Sequence, residues 1–199
     1  TNVLLPEILK KYDSINYSLE GEQQEQGDNL KSLGKNFILA MIVVYMLLAI
    51  PFKSYFQPIV VMSSIPFGVT GAVMGHIIMG MNLSVLSMMG IVALTGVVVN
   101  DSLVMVDFIN RYRKEGNTIK QAVLEAGPRR FRPIFLTSLT TFVGLIPLIL
   151  EKSTQAKFMI PMAVSLSFGV LFATAITLLL VPVSYLTLEK YILKTEENK

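Results

Sequence analysis

The chain has 199 residues, of which 52% are hydrophobic and only 16% charged, and its net charge is +3. A soluble domain is closer to a quarter charged, so a mean hydropathy of +0.58 points to lipid as the solvent for much of this surface. The lack of Cys excludes disulfides and thiolate metal sites, and a single His, His76, argues against zinc.

Residues 1–31 read as the tail of an extramembrane α/β domain. Leu4, Leu5, Ile8 and Leu9 suit an amphipathic helix. Ile15, Tyr17 and Leu19 alternate with Asn16 and Ser18, as in a short strand. Gly21 then opens a polar run over 22–29. A lone strand cannot satisfy its edges, so the body of such a domain is expected upstream and the chain reads as a fragment.

Five stretches then follow, each near the 20 apolar residues that a span needs: about 33–52, 58–79, 83–109, 133–150 and 158–188. The predicted architecture is an all-α membrane bundle over 32–190, with a tail over 191–199. The connections are short except between the third and fourth spans. That segment carries Arg111, Arg113, Lys114, Lys120, Arg129, Arg130 and Arg132. The positive-inside rule places it in the cytoplasm, which puts the N-terminus outside and the C-terminus inside. Within it, Thr118 and Gln121 form a capping box, and Ile119, Ala122, Val123 and Ala126 follow at helical spacing. Gly127-Pro128 is expected to close a short amphipathic helix over 118–126.

Small residues recur every fourth position at Ser165, Gly169, Ala173 and Thr177, and Gly71 and Gly75 make a GxxxG pair. Such stripes let helices approach closely, and packing within one bundle is the expected use. His76 is expected to be hydrogen-bonded near the outer end of its span.

The third span holds the informative residues. Asn100 and Asp101 lie inside an apolar helix, where an ionisable group costs about 2.5–3.5 kcal/mol and usually marks an ion or substrate path. Gly96, Asn100 and Asp107 share one helical face, and Asp101 is turned about 100° from Asn100. Asp107 is expected to pair with Arg111 one turn on. Asp101 has no basic neighbour in sequence, so it must find a partner on another helix, stay protonated or meet water. In the fourth span Thr137 is either a relay hydroxyl or bonds back to its own helix.

The run from Gly90 to Asp107, followed by Arg130-Phe131-Arg132-Pro133-Ile134-Phe135-Leu136-Thr137-Ser138-Leu139, resembles the proton-driven efflux pumps of the resistance–nodulation–cell division (RND) superfamily. The likeness is to their C-terminal membrane half, the eighth to twelfth helices. Tyr17-Ser18-Leu19-Glu20-Gly21 is similar to the end of the periplasmic porter domain. The resemblance implies a multi-pass inner-membrane protein, N-terminus periplasmic and C-terminus cytoplasmic, working as a homotrimer with a periplasmic adaptor and an outer-membrane channel. It implies that the proton-motive force, not a cofactor, drives export. It implies proton-relay roles for Asp101, Asn100 and Thr137, with Asp107 and Arg130 as secondary candidates. Asn100 stands where the family often has a relay lysine, and Thr137 matches the relay threonine. The fourth helix, with its essential carboxylates, belongs to the N-terminal half of the protomer, so the fragment alone is expected to be inactive.

Other classes fare worse. A protein-export or lipid-export member of the superfamily is one alternative, and a non-transporting membrane scaffold another. No nucleophile–base pair, phosphate-cradling loop or metal constellation suggests an enzyme. The basic segment 111–132 is explained by topology without nucleic acid.

Overall fold

The computed structural model describes the backbone of residues 22–196 and the side chains of residues 27–188. Its elements are α1 (Glu22–Phe52), α2 (Gln57–Met62), α3 (Ile65–Met79), α4 (Val85–Lys114), α5 (Ile119–Ile149) and α6 (Ala156–Glu196). All described regular structure is helical. Five segments are long and apolar enough to cross a membrane: Gly27–Phe52, Gln57–Met79, Val85–Lys114, Ile119–Ile149 and Ala156–Leu188.

The chain divides into two units, 1–36 and 37–199. In the first, the described residues are helical. The polar run 22–29 is the first part of α1, and no strand occurs among the described residues. The strand expected around Ile15–Leu19 lies outside the described residues.

In the second unit α6 is the central element, packed against α3, α4 and α5, while α4 also touches α2, α3 and α5. The stripe Ser165, Gly169, Ala173 and Thr177 is buried along α6. The GxxxG pair of α3 faces two aromatic side chains of α6, Gly71 against Phe172 and Gly75 against Phe168. Close helix approach is how such residues hold a bundle together where lipid supplies no hydrophobic drive.

Three boundaries differ from the sequence expectation. The stretch 58–79 is interrupted at Ser63 and Ser64, just ahead of Pro66. Pro66 has no N–H to give Met62, and its ring crowds that carbonyl, so the turn loosens there. Second, no separate helix spans 118–126. Thr118 and Gln121 do form the expected capping box, but α5 runs on through Pro128 and Pro133 to Ile149. Each proline only removes the bond to the carbonyl four residues back, and packed membrane helices tolerate that loss. Third, α6 extends to Glu196, into the stretch expected to be a tail.

The ends of α3 and α4 are closed locally. Gly80 has φ 63°, a left-handed conformation that favours glycine. Its N–H reaches Ile77 O and that of Met81 reaches His76 O, a Schellman pattern. Ser84 and Ser87 then cap α4 reciprocally.

Candidate functional site

The core of the second unit has two apolar clusters. One gathers Val60, Val61, Met105, Val106, Ile109 and Val181, among others, toward the basic end. The second gathers Ala72, Ile91, Leu94, Val98, Val170 and Ala173. Between them in sequence fall buried polar side chains: Ser64 before α3, Asp101 and Ser102 on α4, Thr174 and Thr177 on α6, with Ser138 of α5 just past the first cluster. Ser102 donates to Ser64 at 3.0 Å, and Ser138 bonds Thr174. A polar layer therefore crosses the bundle between two apolar ones. Burying such groups is costly unless they pair, so these residues tie the helices together at one level.

Two members of this layer are not satisfied. Thr177 Oγ1 is buried without a hydrogen-bond partner. Asp101 is only 5% exposed, and no hydrogen bond or ion pair among the described residues reaches its carboxylate. The turn from Asn100 to Asp101 explains the difference between neighbours. Asp101 follows Val98 and Val99 onto the packed face, whereas Asn100 and Gly96 are exposed.

The remaining sequence candidates separate. Asp107 Oδ2 receives Arg111 Nη2 at 2.7 Å, as the one-turn spacing predicts. Thr137 is exposed, and its hydroxyl donates to Pro133 O at 3.0 Å, the backbone-bonded alternative. No hydrogen bond joins Asn100, Asp101 and Thr137 among the described residues. Arg130 lays its guanidinium over the Phe108 ring at 5.0 Å, and its Nε is buried without a hydrogen bond. Arg129 does the same over Tyr112 at 5.4 Å while bonding Glu125 at 2.9 Å. Phe108 and Tyr112 are themselves stacked, so two arginines of α5 clamp one aromatic edge of α4. His76 is buried between Ala72 O at 3.0 Å and Ser87 Oγ at 2.8 Å, which ties α3 to the cap of α4.

One cluster has no counterpart in the sequence pattern. Gln57 and Asn110 exchange amide hydrogen bonds at 3.2 and 2.8 Å. Tyr185, fully buried, donates to Asn110 Oδ1 at 2.8 Å, and Arg113 donates to the Tyr185 hydroxyl at 3.3 Å. These residues stand 53 and 75 positions apart, so no local pattern links them.

Comparison with known proteins agrees with this architecture. The profile of the AcrB/AcrD/AcrF family matches residues 6–189. The chain is similar to the swarming motility protein SwrC of Bacillus subtilis (strain 168), with 33% identity over 180 residues, 90% of this chain and 17% of that protein. It is also similar to two crystal forms of a heavy metal efflux pump. Form II gives a TM-score of 0.77 at 26% identity over 94% of this chain and 19% of the pump. Form I gives 0.75 at 25% over 95% and 19%. The chain thus spans less than a fifth of the length of these relatives. With a family profile matching nearly its whole length and spans that agree, the chain belongs to the AcrB/AcrD/AcrF family of RND efflux transporters.

Proposed function

We propose that this chain is the C-terminal membrane part of a proton-driven secondary transporter that exports drugs or other amphiphiles by antiport, with Asp101 in the proton path. The observation that carries this reading is a carboxylate buried at mid-span in α4 without a partner among the described residues. An unpaired buried charge is strongly unfavourable. An acid kept there either exchanges a proton during the cycle or meets a partner from elsewhere in the protein. The exposed face of α4 around Gly96 and Asn100 is where the N-terminal half of the same protomer would seat, with Asn100 in place of a family lysine.

In this reading the protein is a homotrimer of the inner membrane, N-terminus periplasmic and C-terminus cytoplasmic, with a periplasmic adaptor and an outer-membrane channel. The five helices alone do not export. The likeness to a heavy metal efflux pump makes metal ions a second class of cargo, so the assay carries both classes.

The test is an efflux assay on the full-length protein in a pump-deleted strain, with expression matched. Asp101→Asn should abolish most export. Asp107→Asn should do much less, because that residue is 39% exposed and paired with Arg111 near the end of α4. Undiminished export by Asp101→Asn would refute the assignment.

A further inference from the structure

Two buried polar groups of the layer have no hydrogen-bond partner among the described residues, Asp101 on α4 and Thr177 on α6, and they are 5% and 1% exposed. The two helices run side by side in the same direction, with their register fixed at both ends. A Cβ on Gly90 would meet Ser165, Leu94 fills the space beside Gly169, and Tyr185 donates to Asn110, each pair 75 positions apart. That offset sets Thr177 level with Ser102, one residue past Asp101. Asp101 lies two turns past Leu94, which returns it to the face packed on Gly169, turned by only about 20°. The other hydroxyls of the layer are joined in pairs, Ser102 to Ser64 and Ser138 to Thr174. Thr177 is therefore the hydroxyl left at the level of the acid among the described residues.

We propose that Thr177 positions Asp101 for proton exchange by hydrogen-bonding its carboxyl in both protonation states. This role rests on the reading of Asp101 as an acid that gains and loses a proton during export. A hydroxyl has one donor and two acceptor sites, and its hydrogen rotates to suit its neighbour. Facing the neutral carboxyl, Thr177 Oγ1 accepts from the Asp101 O–H. Facing the carboxylate, the Thr177 O–H donates to it. Thr177 keeps its own proton throughout, and only the proton of Asp101 enters and leaves. A backbone carbonyl would serve the neutral acid alone, and an ammonium the ionised one alone. No charged or titratable residue occurs in 65–75 of α3, 133–149 of α5 or 158–184 of α6, so no fixed cation on these helices holds Asp101 in one state. On α4 the next acid, Asp107, is paired with Arg111. A buried hydroxyl without a partner is costly, and so is a buried acid without one. Bonding between the two during the cycle removes both costs.

Infrared difference spectroscopy of the full-length protein in lipid, between acidic and alkaline buffer, tests this. The carboxylic C=O stretch that vanishes in Asp101→Asn belongs to Asp101. In Thr177→Val, which keeps the side-chain shape, that band should move to higher frequency because the carboxyl has lost its hydrogen bond. In Thr177→Ser it should stay in place. A hydrogen bond to a charged group changes an equilibrium by about tenfold or more, so export per folded protein should fall about tenfold in Thr177→Val and be kept in Thr177→Ser. The valine variant removes an unpartnered buried hydroxyl, so its unfolding midpoint should not fall. Thr177→Ala should repeat the band shift and the loss of export if valine does not fold. Ser165→Ala removes another unpartnered hydroxyl of α6, about 18 Å along the helix, and should change neither band nor export. An Asp101 band that is present in the wild type and unmoved in the valine and alanine variants would overturn this role and leave the proton path standing. Absence of any titrating Asp101 band in the wild type would overturn the proton path and this role together. An equal band shift in Thr177→Ser or Ser165→Ala would show a general loosening of the bundle and overturn the role of Thr177 as well.

Discussion

Gly90 of α4 lies so close to Met162 of α6 that a Cβ on it would stand 2.5 Å from the Met162 carbonyl oxygen and 2.9 Å from Ser165 Cβ. The obstacle is backbone, which cannot rotate aside. Gly90 therefore sets the distance between the two central helices. Gly169 does the same from the other side, where Leu94 and the carbonyl of Gly68 fill the space a Cβ would take. These contacts locate the polar layer, because they fix how α3, α4 and α6 stack one turn or more away from it.

Gly90→Ala should destabilise the protein by about 1–3 kcal/mol, the usual cost of overpacking a tight core. Gly34→Ala in α1 meets nothing within 4 Å and should be neutral or stabilising by up to about 1 kcal/mol through helix propensity. Thermal unfolding of the full-length protein in detergent compares the two. Similar midpoints for both variants would mean that Gly90 does not set the spacing.

Much of this arrangement is legible in sequence because its causes are local. The spans follow from apolar runs, the α5 cap from Thr118 and Gln121, and the Asp107–Arg111 pair from one-turn spacing. That Asn100 and Asp101 face different ways follows from helical rotation, whereas which of them is buried comes from packing. Where sequence and structure part, the cause is context that no local pattern carries. Pro128 ends a helix where water competes for the freed carbonyl, yet α5 continues through it. The run 22–29 is polar and carries no span signal, but nothing in Glu, Gln and Asp forbids a helix that an apolar stretch then extends. The Ser84–Ser87 cap is hard to see in sequence because Ser at the third helical position is a weaker signal than Glu or Gln. Ser64, Ser102 and Thr174 carry no local mark of their role. Only the packing of their three segments puts them in one layer.

The Gln57–Asn110–Tyr185 cluster should show graded sensitivity. Tyr185→Phe removes the donor to Asn110 Oδ1 and one acceptor of Arg113 and Gln57, but Asn110 Oδ1 keeps the Gln57 amide at 3.2 Å, so the loss should be about 0.5–1.5 kcal/mol. Asn110→Leu removes three bonds at once, two with Gln57 and one from Tyr185, at a larger cost of about 1–3 kcal/mol. Denaturation midpoints should fall in the order wild type, Tyr185→Phe, Asn110→Leu. A reversed order would show that the cluster does not carry the helix ends.

Orientation is open to a direct test, because these 199 residues have no Cys and any cysteine elsewhere in the full-length protein can first be replaced by Ser. Ser153 and Glu115 are exposed in the connections at opposite ends of the bundle. With single cysteines in the full-length protein, an impermeant maleimide added to whole cells should label Ser153→Cys, and Glu115→Cys only after permeabilisation. Labelling of Glu115→Cys alone in intact cells would invert the topology.

Asp101 allows a functional acid to be told from a structural one by comparing two quantities on one variant. A structural acid in a buried layer stabilises through the bonds its carboxylate makes, so the amide variant should lose stability in proportion. Here no such bond exists among the described residues, and Asp101→Asn keeps size and shape while removing a group that is costly to ionise when buried. Its unfolding midpoint should equal or exceed that of the wild type, and trimer assembly should be intact, while export falls at least tenfold. Ser102→Ala gives the opposite signature. It leaves Ser64 without its 3.0 Å donor, so stability should drop by about 1 kcal/mol with export per folded protein retained. Parallel losses of stability and export in Asp101→Asn would place the residue with Ser64 and Ser102, as a tie between helices rather than a carrier of protons.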